Sequence, residues 1–264
     1  FFAEMSSINP VILLPETLSR DAEKSAQELA SSISLGAGQF CTNPGLIIAV
    51  EGEQLERFIK CLDTEIQKSI PQKMLNQGIA DNYYRKLSHA LMQKGVKTEC
   101  RAHADESEDR GKPLVASAHA ETFISNIELA HEVFGPYSLI IRCRDIDELY
   151  SVAVSLQGQL TITLTGDEEE LIRNKKLVDI IAEKAGRLIV NGVPTGVEVC
   201  PSMQHGGPYP ASTDSRFTAV GTDAIKRFSR PAAFQNFPDP LLPDELKENN
   251  PLSIWRLVNG EWKK

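Results

Sequence analysis

The sequence lacks a long apolar segment, and its charge balance disfavours two large classes of partner. No run approaches the roughly 18–20 apolar residues of a membrane span, and no signal-peptide layout is present. Acidic residues outnumber basic ones, 36 against 28, which gives a net charge of −8. An acidic chain is poorly suited to bind the phosphates of nucleic acid or an anionic membrane. We therefore expect a cytoplasmic protein with neither partner.

Cysteine is scarce, and its spacing excludes the common metal-binding motifs. No CxxC pair occurs, and the five cysteines are far apart: Cys41, Cys61, Cys100, Cys143 and Cys200. This pattern suits reduced thiols rather than a disulfide framework. The five histidines are also scattered. The spacing therefore predicts no metal centre.

Regular alternation of strand and helix patterns is present in the second half of the chain. Strands are predicted over 137–143, 159–165 and 187–191, with helices over 145–156 and 167–185 between them. This order is typical of βαβ units and a mostly parallel sheet flanked by helices. The predicted fold class is therefore α/β. A proline-rich tail follows, with five prolines between Pro231 and Pro251.

The first half contains the same kinds of element. A helix is predicted from an N-cap at Ser19 to Gly36, and the apolar run Leu46–Val50 is typical of a buried strand. Two further amphipathic helices are predicted at about 55–66 and 79–91. The polar segment 103–112 is predicted to be a solvated surface loop.

Cys41 lies in GAGQFCTNPG, between the first helix and the strand Leu46–Val50. A thiol at such a junction is accessible and close to backbone N–H groups, as a nucleophilic cysteine requires. A small buried cysteine in a tight connection is equally consistent with this position. Placement alone leaves both interpretations open.

Five segments, in this order along the chain, resemble the aldehyde dehydrogenases: AEMSSINP at 3–10, GQFC at 38–41, HEVFGP at 131–136, GRLIVNG at 186–192 and HGGPYP at 205–210. The resemblance covers nearly the whole chain and implies that family's catalytic-domain fold. It further implies oxidation of a small-molecule aldehyde to a carboxylic acid with NAD or NADP, by a homo-oligomer that is a dimer or a tetramer.

The resemblance also assigns roles to individual residues. Cys41 would be the nucleophile that forms a thiohemiacetal and then a thioester. Glu4 would be the base for thioester hydrolysis, with a pKa raised by apolar neighbours. Glu132 would bind the hydroxyls of the nicotinamide ribose, and Phe134 would lie against that half of the cofactor. His205 is expected to be a surface neighbour of the site rather than an acid or base.

Other landmark residues have structural interpretations. Asn191 is predicted to form a turn with the glycine that follows it. Gly206 and Gly207 are predicted to let the backbone pass close to the site. Cys61, on a helix, and Cys143, in a strand, are predicted to be structural.

EMSSINP and GQFCTNPG look like the branch that includes the α-ketoglutarate semialdehyde (2,5-dioxovalerate) dehydrogenases and some bacterial fatty aldehyde dehydrogenases. Similarity to the α-ketoglutarate semialdehyde dehydrogenases implies a semialdehyde substrate, and a fatty aldehyde is the alternative. A catalytically inactive module that keeps only the fold and its interface is a second alternative. A cysteine hydrolase is a third, although no histidine is convincingly placed in the sequence to activate the thiol.

The resemblance predicts three regions: residues 1–8 as the last piece of a cofactor-binding domain, 9–208 as the catalytic domain, and 209–264 as a return to the cofactor domain and an oligomerisation tail. No glycine-rich dinucleotide motif occurs at a strand-to-helix junction. We therefore expect a catalytic half that is inactive as a dehydrogenase by itself. We also expect exposed apolar surface and self-association.

Overall fold

The computed structural model describes residues 1–103 and 109–264, which divide into two compact units. The first unit is Phe1–Arg227 and the second is Phe228–Lys264. Residues 104–108 of the predicted surface loop at 103–112 lie outside the described residues, and Arg110 and Gly111 of the same segment form a short strand. The predicted domain boundaries after residues 8 and 208 depend on a cofactor-binding domain and stay predictions.

The first unit is built on a seven-stranded sheet in which every neighbouring pair of strands is parallel except one pair at an edge, Lys97–Arg101 with Leu114–His119. The strand order is β4-β6-β7-β2-β1-β8-β9, and its strands are β1 Val11–Leu13, β2 Leu46–Val50, β4 Lys97–Arg101, β6 Leu114–His119, β7 Tyr137–Cys143, β8 Gln159–Thr165 and β9 Ala185–Val190. A separate antiparallel pair joins β3 Gln72–Lys73 to β5 Arg110–Gly111. The predicted α/β class with a mostly parallel sheet is confirmed.

Helices cover both faces of this sheet: α1 Pro15–Ser34, α2 Glu53–Lys68, α3 Gln77–Leu91, α4 Ala120–Ser125, α5 Ile146–Ser155, α6 Glu168–Arg173 and α7 Lys175–Ala182. In β1, Val11 and Leu13 pack with α1 and α2, whereas Ile12 packs with the helices of the opposite face. Burial on both faces explains why the central strands are continuously apolar. No helix among the described residues is long and apolar enough to cross a membrane.

Helix α1 begins at Pro15, so the predicted N-cap at Ser19 is wrong. Leu14 is the N-cap and provides no side-chain hydrogen bond. The buried carboxylate of Glu170 instead accepts hydrogen bonds from the backbone N–H groups of Glu16 and Thr17, at 2.8 and 3.0 Å. The first turn is therefore capped by a residue of α6 rather than by its own sequence.

The single helix predicted over 167–185 is interrupted at Asn174. Asn174 has φ −100° and ψ 26°, and it separates α6 from α7. Its side-chain Nδ2 donates to the carbonyl of Glu170 at 2.8 Å. An asparagine side chain that bonds to nearby backbone competes with helix continuation, which accounts for the break.

Edge strand β9 leaves apolar side chains in solvent. Leu188 and Val190 are 41% and 55% exposed. The expected exposed apolar surface is therefore present, and self-association stays a prediction.

The second unit contains an antiparallel hairpin of β10 Arg256–Val258 and β11 Glu261–Lys263. Asn259 and Gly260 join the strands with φ of 52° and 82°. Two successive positive φ values at Asn-Gly are typical of a type I′ hairpin turn. Within the same unit the rings of Phe234 and Phe237 meet edge to face, with centroids 5.3 Å apart.

The segments that enter β1, β2 and β7 meet at the amino-terminal edge of the sheet. The backbone N–H of Gly45 donates to the carbonyl of Ile8 at 2.8 Å, and that of Leu139 donates to the carbonyl of Gly45 at 3.0 Å. Three motifs that are far apart in sequence, at 3–10, 38–41 and 131–136, are thereby brought together.

Candidate active site

Cys41, His205 and Glu4 form a cluster of three reactive side chains. The Sγ atom of Cys41 lies 3.3 Å from Nε2 of His205. The same Nε2 atom lies 3.0 Å from Oε2 of Glu4. Cys41 is exposed, and the side chain of Glu4 is 30% exposed, so solvent reaches the cluster.

The Cys41 loop is held by the side chain of Asn9. Asn9 is buried, with φ 45°, and its Nδ2 donates to the carbonyls of Cys41 and Asn43 at 2.9 and 3.0 Å. Oε1 of Gln159 accepts hydrogen bonds from the backbone N–H groups of Ile8 and Asn9. These bonds attach the Cys41 loop to the segment that contains Glu4.

Glu4 is positioned by backbone pairing with the chain near residue 212. It forms an antiparallel bridge with Ser212, next to a hydrogen bond of 2.9 Å from the backbone N–H of Met5 to the carbonyl of Ala211. The carboxylate therefore belongs to an ordered strand-like segment and reaches His205 from one side.

His205 is buried, so the prediction that it is a surface neighbour is wrong. Its side chain is 6% exposed. Its backbone N–H donates to Oγ1 of Thr218 at 2.8 Å, and its carbonyl accepts from the N–H of Ala219 at 2.7 Å. These backbone bonds hold His205 where its Nε2 contacts both the thiol and the carboxylate.

The cluster favours a positive imidazolium and a negative carboxylate. Hydrogen bonds to Cys41 and then to Glu4 raise the pKa of His205 to about 9. The hydrogen bond from His205 lowers the pKa of Glu4 and outweighs the opposing effect of burial. The expectation that apolar neighbours raise the pKa of Glu4 is therefore wrong, because a charged partner lies closer than they do.

We expect the raised pKa of His205 to make the folded state less stable in alkali. Protonation of His205 stabilises the folded state, and this stabilisation is fully present below the ordinary pKa of 6.5. It is lost as the pH rises to about 9. The free energy of unfolding should fall by on the order of 2 kcal/mol across this range. Urea unfolding at several pH values measures it. His205→Gln should flatten the dependence, whereas His89→Gln, at an exposed surface pair with Glu128, should keep it.

Cys41 is expected to be the fastest of the five thiols to react with iodoacetamide. Burial raises the pKa values of Cys100 and Cys143 to about 12, which leaves only Cys61 and Cys200, both half-buried, as competitors. An adjacent imidazolium stabilises the reactive thiolate. Brief labelling and peptide mapping test this order. Faster labelling of Cys61 or Cys200 would contradict the choice of nucleophile.

Glu132 and Phe134 line a shallow neighbouring cleft, together with Asn43 and Ile8. Ser6 Oγ donates to Oε2 of Glu132 at 3.1 Å, and burial raises the pKa of this carboxyl. A half-buried acceptor beside a half-buried aromatic ring suits ribose hydroxyls and a flat heterocycle. Glu132 and Phe134 therefore have side chains of the kind that the nicotinamide half of a dinucleotide requires, and their role in binding it stays a prediction.

Two further predictions about landmark residues are confirmed. Asn191 has φ 53°, and its side chain exchanges two hydrogen bonds with the backbone of Gly166, at 2.7 and 2.9 Å. The backbone at Gly207 passes so close to β8 that an added Cβ would lie 2.2 Å from the carbonyl oxygen of Gln159.

Arg187 adds a positive charge close to the cluster. Its Nη2 donates to the carbonyl of Pro194 at 2.9 Å, and its buried Nε has no hydrogen-bond partner among the described residues. Burial lowers the pKa of Arg187, while negative charge at Cys41 opposes that shift. The sequence offered no independent signal for this residue, since a lone arginine in a strand is ordinarily a solvated side chain.

Two known proteins are similar to this chain over almost its whole length. It is 46% identical over 261 residues to an alpha-ketoglutaric semialdehyde dehydrogenase of Acinetobacter baylyi, and 45% identical over 260 residues to alpha-ketoglutaric semialdehyde dehydrogenase 2 of Azospirillum brasilense. Each alignment covers 98% of this chain and 50% of the relative, so the chain spans about half the length of these relatives.

The fold is similar to that of a solved glyceraldehyde-3-phosphate dehydrogenase from Methanocaldococcus jannaschii complexed with NADP. The TM-score is 0.62 at 19% identity, over 79% of this chain and 44% of the other. Residues 1–231 match the aldehyde dehydrogenase family as a whole. The chain therefore belongs to the aldehyde dehydrogenase family.

Proposed function

We propose that this chain is the catalytic half of an enzyme that oxidises an aldehyde to a carboxylic acid with NAD or NADP. The observation that carries the proposal is the contact of Cys41 Sγ with His205 Nε2 at 3.3 Å, backed by Glu4 at 3.0 Å. Membership of the aldehyde dehydrogenase family supports it. The relatives named above are about twice as long, so their full activity is part of the proposal.

The first step is addition of the Cys41 thiolate to the aldehyde carbonyl, which forms a thiohemiacetal. The imidazolium of His205 stabilises the thiolate before attack, because the two groups are in contact. The backbone N–H of Cys41 is the nearest donor for the oxyanion that develops on the carbonyl oxygen. A bound nicotinamide would supply a hydride acceptor, and loss of that hydride would convert the thiohemiacetal into a thioester. Glu132 and Phe134 would hold the nicotinamide.

The second half of the reaction is hydrolysis of the thioester on Cys41. Acylation removes the thiol contact, which is the largest cause of the raised pKa of His205. As its pKa falls, His205 gives its proton to solvent, and the neutral imidazole is then available as a base beside Glu4. Water adds to the acyl carbon and gives its proton to the His205–Glu4 pair. The C–S bond then breaks, which releases the acid and the Cys41 thiolate.

We propose an anionic semialdehyde such as 2,5-dioxovalerate as the substrate, with a fatty aldehyde as the alternative. Arg187 lies close enough to Cys41 for their charges to interact, and its Nε has no hydrogen-bond partner among the described residues. A positive group near the nucleophile favours a carboxylate-bearing aldehyde over a neutral one. The names of the two relatives support the same choice.

The test is complementation with a separately produced amino-terminal half of the Acinetobacter baylyi relative. The absorbance of reduced nicotinamide is followed with 2,5-dioxovalerate or a long-chain alkanal, and with NAD or NADP. We expect turnover with the mixture, a preference for the semialdehyde, and none with Cys41→Ser. A stable complex that reduces neither nucleotide with any aldehyde would rule out the dehydrogenase proposal.

A second candidate function is hydrolysis of activated esters or thioesters without a nucleotide. No histidine is convincingly placed for this role in the sequence, but in the folded chain the thiol of Cys41 and the carboxylate of Glu4 both contact Nε2 of His205. A thiol in contact with an imidazole supplies the nucleophile and base of a cysteine-type hydrolase, whereas Glu4 shares Nε2 with the thiol instead of orienting the ring through Nδ1. This activity is measurable with the chain by itself.

A further inference from the structure

The Cys41 cluster has the composition of a zinc site as well as that of a nucleophile. Sγ of Cys41, Nε2 of His205 and a carboxylate oxygen of Glu4 all lie within 4.8 Å of one another. Among the described residues, no other group of three histidine, cysteine or acidic side chains has its potential ligand atoms this close together. The spacing in the sequence hid it, because the three residues come from distant segments.

The distances between these atoms are close to those in a tetrahedral zinc site. With bonds of about 2.3 Å to sulfur and about 2.0–2.1 Å to nitrogen and oxygen, tetrahedral ligand atoms lie about 3.4–3.6 Å apart. The observed separations are 3.3 Å for sulfur to nitrogen and 3.0 Å for nitrogen to oxygen. These two distances therefore need to lengthen by only a few tenths of an ångström to admit the ion, and the sulfur lies within 4.8 Å of the carboxylate oxygen.

Two of the three ligands are already held in place. His205 is fixed through its backbone by Thr218 and Ala219, and the carbonyl of Cys41 is fixed by Asn9. The exposed thiol and the partly exposed carboxylate leave one side of the cluster open to solvent. An ion can therefore enter from solvent and keep a water molecule as its fourth ligand.

We propose that Zn²⁺ binds across Cys41, His205 and Glu4 and reversibly blocks the nucleophile. Binding forms bonds from the metal to sulfur, nitrogen and oxygen, and the proton on Nε2 of His205 passes to solvent with no change of oxidation state. A thiolate with an imidazole selects Zn²⁺ over Mg²⁺ and Ca²⁺, which prefer oxygen ligands.

Co²⁺ is the first probe, because a cobalt–thiolate bond gives an absorption band that oxygen and nitrogen ligands do not. The reduced, chelator-treated chain is titrated with Co²⁺, and Zn²⁺ affinity is then measured by displacement. We expect one ion per chain and a thiolate band. Cys41→Ser should abolish the band, and Glu4→Gln and His205→Gln should each weaken Zn²⁺ binding at least about tenfold, since even second-shell changes cost 10- to 100-fold.

Matched controls come from the rest of the chain. Cys61→Ser and Cys200→Ser replace half-buried thiols elsewhere and should leave the band unchanged. Glu128 contacts both His89 and His131 at 3.1 and 3.3 Å on an exposed surface, which makes that trio the best competing site. Binding that survives Cys41→Ser and is lost in His89→Gln would overturn the proposal.

Protection of the thiol provides a second readout that does not depend on a variant. Zn²⁺ at one equivalent should slow iodoacetamide labelling of Cys41 at least about tenfold while leaving Cys61 and Cys200 unchanged, whereas Mg²⁺ should protect none. Circular dichroism confirms that each variant is folded. Unprotected Cys41 in the presence of bound Zn²⁺ would place the ion elsewhere and disprove the assignment.

Discussion

Cys41→Ser should lower the hydrolysis of p-nitrophenyl acetate by this chain at least about a hundredfold, because a serine hydroxyl is a far weaker nucleophile than a thiolate beside an imidazolium. The variant also changes the contact of Sγ with His205 Nε2 at 3.3 Å. The serine oxygen lies farther from Nε2 than sulfur does, and its hydroxyl interacts more weakly with the imidazolium charge. The measurement is the release of nitrophenolate, with a rapid first turnover equal to one acyl group per chain.

Two variants separate the roles in this reaction. His205→Gln should lower the rate about 10²-fold or more, the usual range for loss of a general base, and should also slow labelling of Cys41. Cys200→Ser changes a thiol whose Sγ lies 3.4 Å from Ser202 Oγ and should retain the full rate. Hydrolysis that persists in Cys41→Ser would show that the ester is cleaved elsewhere on the surface, and would remove the second candidate function.

The central strands of this fold were predictable from the sequence because burial on both sheet faces leaves a continuous apolar run. Both ends of β7, at Tyr137 and Cys143, are where the pattern predicts them. The same is true of β8, which runs from Gln159 to Thr165. Helix ends were less predictable. Helix α1 begins four residues before the expected N-cap because Glu170, about 150 residues away, satisfies its first N–H groups.

Part of the candidate site was predictable as well. Resemblance of short motifs identified Cys41, Glu4, Glu132 and Phe134, and the fold places the first two around His205 and the last two in the adjoining cleft. Their chemical roles stay proposals. The motifs mark these positions because each residue lies in a segment that leads into a strand of the sheet or, for Glu4, pairs with Ser212.

The role of His205 was not predictable, because its contacts exist only in the folded chain. It lies 164 residues from Cys41 along the sequence. A histidine beside two glycines is typical of a surface turn, and nothing local indicates that Thr218 and Ala219 bury it. The low pKa of Glu4 follows from the same contact. Asn9 was missed for a similar reason, since an asparagine before a proline mainly signals a turn.

Gly38→Ala should unfold or severely destabilise the first unit, by on the order of 3 kcal/mol or more. Gly38 has φ +64°, which an L-residue adopts at a cost of about 1–2 kcal/mol. An added Cβ would also lie 2.3 Å from the carbonyl carbon of Gly135 and 2.4 Å from its oxygen. Both are backbone atoms, so one of the two loops must move.

Gly196→Ala is the matched control, because Gly196 also has a positive φ, +83°, but no atom lies within 4 Å of its added Cβ. The control should lose only the conformational part, about 1 kcal/mol. Urea unfolding of both variants therefore separates backbone strain from the collision between loops.

Since Gly38 and Gly135 join the Cys41 loop to the loop of Glu132 and Phe134, any folded Gly38→Ala chain should also react slowly with iodoacetamide at Cys41. Equal destabilisation of the two variants would mean that the loops can separate freely, and that their contact does not position the thiol.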